Sequence, residues 1–226
     1  IVTGLVGSEM CIRDSHKAVS AGSNDHLDMT PNGSNPNSHT APFQGRHIGI
    51  GITGGIAAYK MCHVVSQLTQ SGAVVDVLMT PNAQRFVGEA TFQALSGRPV
   101  LCDPWKGPDP SDPQHIRVAR RLELLLIAPA SMNTIGRLAH GITEDVITLT
   151  AAGIPPRSIP RILAPSMNAA MWSQASTQRN LKLLEDDGWL VTESQARLAL
   201  PKSDYWHSPQ FSVILHKLKA DPFFSR

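Results

Sequence analysis

The feature that most constrains the fold is the run Leu124-Leu125-Leu126-Ile127-Ala128, which with Leu122 makes residues 122–128 almost wholly apolar. A stretch this short and this uniformly apolar reads as a strand covered on both faces, as strands of parallel sheets are. From Arg46 onward, short apolar runs alternate with amphipathic stretches, the pattern of parallel strands joined by crossover helices. Strands are predicted at residues 47–52, 73–79, 100–101, 122–128, 161–164 and 189–192. A helix over 56–70 places Met61, Val64, Val65 and Leu68 on one face and stops at Ser71-Gly72. A second helix runs from an Asn82 cap through Leu95, burying Phe86, Ala90, Phe92 and Leu95, and closes at Gly97 and Pro99. Further helices fit 133–139, 144–151 and 173–186. The expected architecture is a three-layer α/β/α sandwich around a flavodoxin-like or Rossmann-like parallel sheet. Such sheets bind ligands beyond the carboxyl ends of their strands, where Thr53, Thr80, residues 130–134 and residues 165–168 all fall.

Bulk properties narrow the function classes. A chain of 226 residues suffices for one domain with a real core. Lys and Arg number 20 against 18 Asp and Glu, with no long basic run, so neither nucleic acid nor an acidic membrane surface is indicated and the partner expected is a small molecule. Cys11, Cys62 and Cys102 are too scattered for a disulfide framework or a zinc site, which fits a reducing cytoplasm. The nine histidines show no metal-ligand spacing, so no metal is expected. No apolar run approaches the ~20 residues of a membrane span, and the first residues lack the flanks of a signal peptide.

Three regions follow from composition. Residues 1–45 are rich in Ser, Asn, Gly, Pro and His and are expected to be a disordered tail, because they bury too little surface to offset their ordering entropy. Within it, residues 8–15 resemble the translation of sequencing-adapter DNA; residues 1–15 are set apart on that ground, and Met29 is the candidate start. Residues 46–194 form the expected folded domain, and 195–226 a separate C-terminal segment. The four prolines within 103–113 mark an exposed loop leading into His115.

The glycine-rich segment 49–54 matches G-x-G-x-x-G, with Asp76 at about the spacing of a ribose-binding acid, roughly 20 residues on. Its first two glycines, however, lie within a predicted strand rather than after it, and Asp76 lies inside the second strand rather than at its end. The match is therefore read as a decoy. What remains is Thr53-Gly54-Gly55-Ile56 at a strand-to-helix turn, where backbone N–H groups, a hydroxyl and a helix N-terminus can receive the phosphate of a mononucleotide such as FMN; a merely tight turn is the competing reading. Ser131-Met132-Asn133-Thr134 after the central strand can cap the next helix, contact a flavin, or both. In Pro165-Ser166-Met167-Asn168-Ala169-Ala170-Met171-Trp172, one amide stands among methionines and a tryptophan. It suits a ligand carboxylate or amide, though Asn is also a common helix cap.

In their order and spacing the Thr53 turn, His115-Ile116, the strand with its Asn133-Thr134, and the P-x-M-N-x-x-M-W block resemble the flavin-dependent cysteine decarboxylases, and among them the phosphopantothenoylcysteine decarboxylases of coenzyme A biosynthesis. The resemblance runs from about residue 47 to 191. It implies FMN as cofactor, with contacts at Thr53, Gly54, Gly55, Ile56, Thr80, Ser131, Met132, Asn133, Thr134 and Ser166. It implies Asn168 and Met171 as substrate-binding residues and His115 as the catalytic base that accepts a proton when the substrate cysteine is oxidised. An imidazole titrates in the right range for that work. The implied reaction oxidises the cysteine of a small cysteine conjugate to a thioaldehyde, loses carbon dioxide, and then reduces the enethiol back to a saturated thiol. Subunit assembly into a homo-oligomer, a trimer or higher, is also implied, with FMN between subunits.

Two departures stand out. Gly55 occupies a position where the family often has serine, which removes one phosphate contact or shifts it to Thr53. After residue 194 the family's glycine-rich clamp with its proton-donating cysteine is replaced by Gln195-Ala196-Arg197-Leu198-Ala199-Leu200, and no cysteine follows Cys102. An oxidative peptidyl-cysteine decarboxylase and a non-catalytic flavin-binding regulatory subunit therefore stay open as alternatives. A flavin prenyltransferase ranks lower, since that group lacks the P-x-M-N-x-x-M-W and His-Ile segments. No fused ligase domain is expected within these 226 residues.

Overall fold

The computed structural model of the chain describes residues 43–106 and 113–192. Five strands, β1 (His47–Ile52), β2 (Val74–Met79), β3 (Leu124–Ala130), β4 (Arg161–Pro165) and β5 (Leu190–Val191), pair in parallel in the order β2-β1-β3-β4-β5. Helices α1 (Lys60–Gln70), α2 (Glu89–Ser96), α3 (Gln114–Arg121), α4 (Met132–Ala139), α5 (Val146–Ala152), α6 (Ala169–Trp172) and α7 (Ala175–Asp186) complete the described chain, with 3-10 turns at Ile56–Tyr59 and Ala83–Arg85. The doubly wound α/β class read from the sequence is what forms.

Strand chemistry sorts the layers. In β1 the isoleucines 48, 50 and 52 point into one core with Val64, Val65 and Leu68 of α1 and Phe92 of α2. Gly49 and Gly51 face the other side, where the absence of side chains lets α3 and α5 close down: an added Cβ would sit 2.6 Å from Leu122 Cδ1 at Gly49 and 3.0 Å from Ile147 Cγ2 at Gly51. That is the role of the first two glycines of the G-x-G-x-x-G match, and the reason it is no dinucleotide loop. β3 is buried along its whole length, its alternate residues feeding the two cores. The second core gathers Val118, Ala119 and Leu122 with Ile135, Ile147, Leu181 and Leu184.

Several expectations change. Phe43, assigned by composition to the tail, is 1% exposed and belongs to the first core. Its N–H reaches Ser71 O at 3.3 Å, and the Gly45 N–H reaches Gly72 O at 2.8 Å, so the packed region includes residues before 46. The rest of the tail, residues 107–112 of the proline loop and the segment after 192 lie outside the described residues.

Asn82 makes no side-chain cap; the Thr80 hydroxyl accepts from the Ala83 N–H instead. The helix expected from there is interrupted at Gly88, which adopts extended backbone and restarts the helical phase, so Phe92 is buried while Phe86 and Ala90 are exposed. α3 was not expected as a helix, because its sequence QHIRVARR is mostly polar and follows the proline loop. The helix expected over 173–186 begins two residues later, after a separate turn of helix, α6.

Candidate active site

Strand order reverses between β1 and β3, the switch point at which doubly wound sheets open a crevice at their carboxyl edge. The chain leaves β1 at Thr53 and β3 at Ser131, and the two turns are stapled together. The Thr53 hydroxyl donates to Pro129 O at 2.6 Å and accepts from the Ser131 N–H at 2.9 Å. Thr53 is 1% exposed, and its hydroxyl both donates and accepts within the fold.

Gly54 is required by close approach: a Cβ there would lie 2.6 Å from Asn82 Cβ. Gly55 is different. Its backbone is extended, and an added Cβ would meet nothing nearer than 3.8 Å, so the serine common in the resembling family would fit here without strain. The N–H groups of Gly54, Gly55 and Ile56 have no partner among the described residues. They open the 3-10 turn that runs directly into α1, and free donors at such an end suit an anion.

The neighbouring turns close around this point. Thr80 N–H bonds Ile52 O at 3.1 Å, and Ser166 N–H bonds Ala130 O at 3.0 Å, which sets both beside the central crevice. The Ser131 hydroxyl caps α4 through the Thr134 N–H at 3.3 Å and lies 3.1 Å from the Thr134 hydroxyl. Thr134 is itself 1% exposed. It supports the turn from behind, leaving Met132 and Asn133 at its outer side.

Asn168 caps α6, its Oδ1 accepting from the Met171 N–H at 2.8 Å. The cap reading holds; the bond fixes Oδ1 and leaves the two Nδ2 donors without a partner among the described residues. The clamp around it is split. Met167 and Trp172 pack against the second core, whereas Asn168 and Met171 are exposed. The turn is pinned from α7 by Thr177, whose hydroxyl donates to Met171 O at 2.7 Å, and by Gln178, whose amide donates to Trp172 O at 2.7 Å. Nothing in the residue types of Thr177 and Gln178 signalled that role.

His115 reaches the same edge by topology. α3 leads into β3 and so runs against the strands, placing its first turn at their carboxyl ends. Nδ1 of His115 and Oε1 of Gln114 are enclosed and have no hydrogen-bond partner among the described residues. No hydrogen bond joins His115 to Thr53, Ser131 or Asn168 among the described residues. Near the end of β2, Cys102 donates to Glu89 at 3.2 Å, and burial, with the adjacent carboxylate, pushes its thiol up to about 12. The exposed apolar side chains Ile56, Phe86, Trp105 and Met171 all stand on segments at or beyond this edge. Among the described residues no group of His, Cys, Asp or Glu is arranged to hold a metal, and no helix is long and apolar enough to cross a membrane.

Comparison with known proteins shows the family. The family model described as Flavoprotein matches residues 36–220. The coenzyme A biosynthesis bifunctional protein CoaBC of Bacillus subtilis (strain 168) is 41% identical over 148 residues, covering 66% of this chain and 36% of that protein. The chain thus spans about a third of the length of that bifunctional relative. A probable phosphopantothenoylcysteine decarboxylase of Streptococcus mutans serotype c is 40% identical over 140 residues, covering 62% of this chain and 78% of that protein. Among solved structures, the FMN-dependent cysteine decarboxylase SpaF superposes with a TM-score of 0.62 at 30% identity, covering 67% of this chain and 85% of that one. The chain belongs to the Flavoprotein family, in the company of its cysteine decarboxylases.

Proposed function

We propose that this chain binds FMN at the β1/β3 crevice and decarboxylates phosphopantothenoylcysteine to phosphopantetheine, a step of coenzyme A biosynthesis. The observation that carries the reading is the meeting, at one sheet edge, of three free N–H groups at Gly54–Ile56, the free amide donors of Asn168 and the unpartnered ring of His115. The donor set fits the group: backbone N–H groups at a helix start take a phosphate, and the turns at Thr80, Ser131, Met132, Asn133 and Ser166 line the crevice beside it. Thr53 and Thr134 act behind that wall, holding it in shape.

Bound FMN would supply the two-electron oxidant for the substrate cysteine. The chain's own work is positional and protonic. Asn168 donates to the substrate carboxylate from an amide whose orientation the α6 cap has already fixed. Met171 offers an apolar contact beside it. The His115 imidazole, whose enclosed Nδ1 has no hydrogen-bond partner among the described residues, accepts the thiol proton as the cysteine is oxidised.

The decisive test is anaerobic mixing of the purified, FMN-loaded chain with phosphopantothenoylcysteine while the flavin absorbance is followed. Wild type should bleach. His115→Asn should keep its flavin and slow bleaching by about 100- to 10,000-fold, the usual cost of a general base; bleaching at the wild-type rate would make His115 structural. A chain that neither retains nor takes up FMN would remove the reading altogether. The absence of any cysteine after Cys102 favours one second reading, an enzyme that stops after the oxidative half-reaction. Product analysis separates the two, since that enzyme would release the enethiol instead of the saturated thiol. We further propose a cytoplasmic homotrimer, supported by the exposed Ile56, Trp105 and Met171 around the site, which a neighbouring subunit would cover. Sedimentation of the FMN-loaded chain as a monomer would refute the assembly.

A further inference from the structure

Asp76, the acid of the dismissed dinucleotide motif, has no part in the crevice, yet it pairs with two arginines. It sits within β2, 1% exposed, on the sheet face that α3 covers, level with Gly49 of β1. Arg121, the last residue of α3, grips both its oxygens, Nε to Oδ2 at 2.8 Å and Nη2 to Oδ1 at 2.6 Å. Arg98, from the loop after α2, reaches Oδ1 at 3.0 Å. Two guanidinium groups thus converge on one buried carboxylate from separate segments of the fold.

The consequence lies at the other end of α3. The helix is eight residues long, about 12 Å at 1.5 Å per residue, and too short to be stable by itself. Its apolar contacts, Val118 and Ala119 in the second core and Leu122 in the gap over Gly49, provide burial that is non-directional and tolerates sliding or rotation. A bidentate Arg–carboxylate pair does not tolerate either, because both N–H···O bonds must stay in line. Arg121 ends the helix and His115 lies in its first turn, so the pair that fixes one end sets the axial position and rotation of the other.

We propose that Asp76 is a positioning residue, which holds α3 through Arg121 and thereby aims His115 at the carboxyl edge of the sheet. This rests on the reading of His115 as the proton acceptor. Arg98 supplies an internal control, since it binds the same oxygen but is not part of α3. The variants are Asp76→Asn, Arg121→Lys, Arg98→Ala and, for reference, His115→Asn.

Hydrogen exchange on the flavin-free chain provides the first readout. Asp76→Asn and Arg121→Lys should speed exchange in residues 114–121 by about tenfold or more while α1 and β1 stay within about twofold of wild type, and Arg98→Ala should leave α3 near wild type. Anaerobic bleaching of the FMN-loaded chain is the second: the first two variants should slow it by about 10- to 100-fold with half-saturation by substrate unchanged, the scale of a misplaced group. If Asp76→Asn does not fold, Arg121→Lys, which keeps the charge and loses the fork, carries both readouts. Exchange that rises equally across α1 and β1, or an Arg98→Ala effect as large as that of Arg121→Lys, would show a general stabiliser and overturn the proposal. Wild-type bleaching in both the Asp76 and Arg121 variants, with His115→Asn inactive, would overturn it and leave the base reading standing. Wild-type bleaching in His115→Asn would sink the base reading and this proposal together.

Discussion

Replacing Thr53 by Val tests whether the hydroxyl is a structural staple or a ligand held for the cofactor. Valine keeps the shape and removes both hydrogen bonds, to Pro129 O at 2.6 Å and from the Ser131 N–H at 2.9 Å. The bond to the Pro129 carbonyl is buried, so leaving that oxygen unpaired costs about 1–3 kcal/mol. The Ser131 N–H is only partly buried and can recover a water, placing its loss near the low end, about 1 kcal/mol. The extra buried methyl returns about 0.8 kcal/mol, so the net cost is about 1–3 kcal/mol. Urea unfolding of the flavin-free chain is the assay. With a slope of about 1–3 kcal/mol per molar, the midpoint should fall by roughly 1 M with the slope unchanged. Working without flavin matters, because a bound ligand would add its own stabilisation. If flavin-free Thr53→Val is as stable as wild type, the hydroxyl is not holding the two turns together, and the phosphate-ligand role becomes the better account.

The two adjacent glycines should behave oppositely. Gly54→Ala must displace the turn at Asn82 and should cost about 1–3 kcal/mol together with most FMN affinity. Gly55→Ser has room and ordinary backbone, so thermal unfolding should stay near wild type while FMN binding, followed by fluorescence quenching, tightens; weaker binding would contradict the phosphate assignment. Asn168→Asp keeps the cap oxygen and replaces two donors with charge, so circular dichroism should be unchanged while substrate capture fails by repulsion between carboxylates. Unchanged half-saturation for substrate would remove Asn168 from the binding site. Cys102 gives a pH prediction: its thiol is pushed from an ordinary 9.0 to about 12, so the folded chain holds the proton longer than the unfolded one. The stability it contributes is complete below about pH 9 and is lost as pH rises toward about 12; Cys102→Ala should flatten the alkaline limb of stability against pH, and an identical limb would refute the shift.

Local pattern was enough wherever one residue type has one physical use. Ile48, Ile50 and Ile52 alternate, α1 repeats its apolar residues at helical spacing, and β3 is apolar throughout, so strand, helix and buried central strand follow from period and hydropathy alone. Order along the chain then forces parallel pairing, and parallel pairing sends Thr53, Thr80, Ser131 and Ser166 to one edge. What the sequence left undecided were the roles of groups that can serve two masters. A threonine hydroxyl after a strand reads equally as ligand or staple, and only the approach of Pro129 and Ser131, more than 70 positions away, gives Thr53 the two bonds of a staple. Asn168 was legible as cap or binder; the structure forms the cap through Oδ1 and leaves the Nδ2 donors without a partner among the described residues. α3 was invisible since its helix rests less on its own residues than on packing against α5 and on a pair with Asp76, 45 positions earlier. Hydrophobic period is written locally; the partner of a polar group is chosen by whatever the fold brings beside it, and that choice exists only in three dimensions.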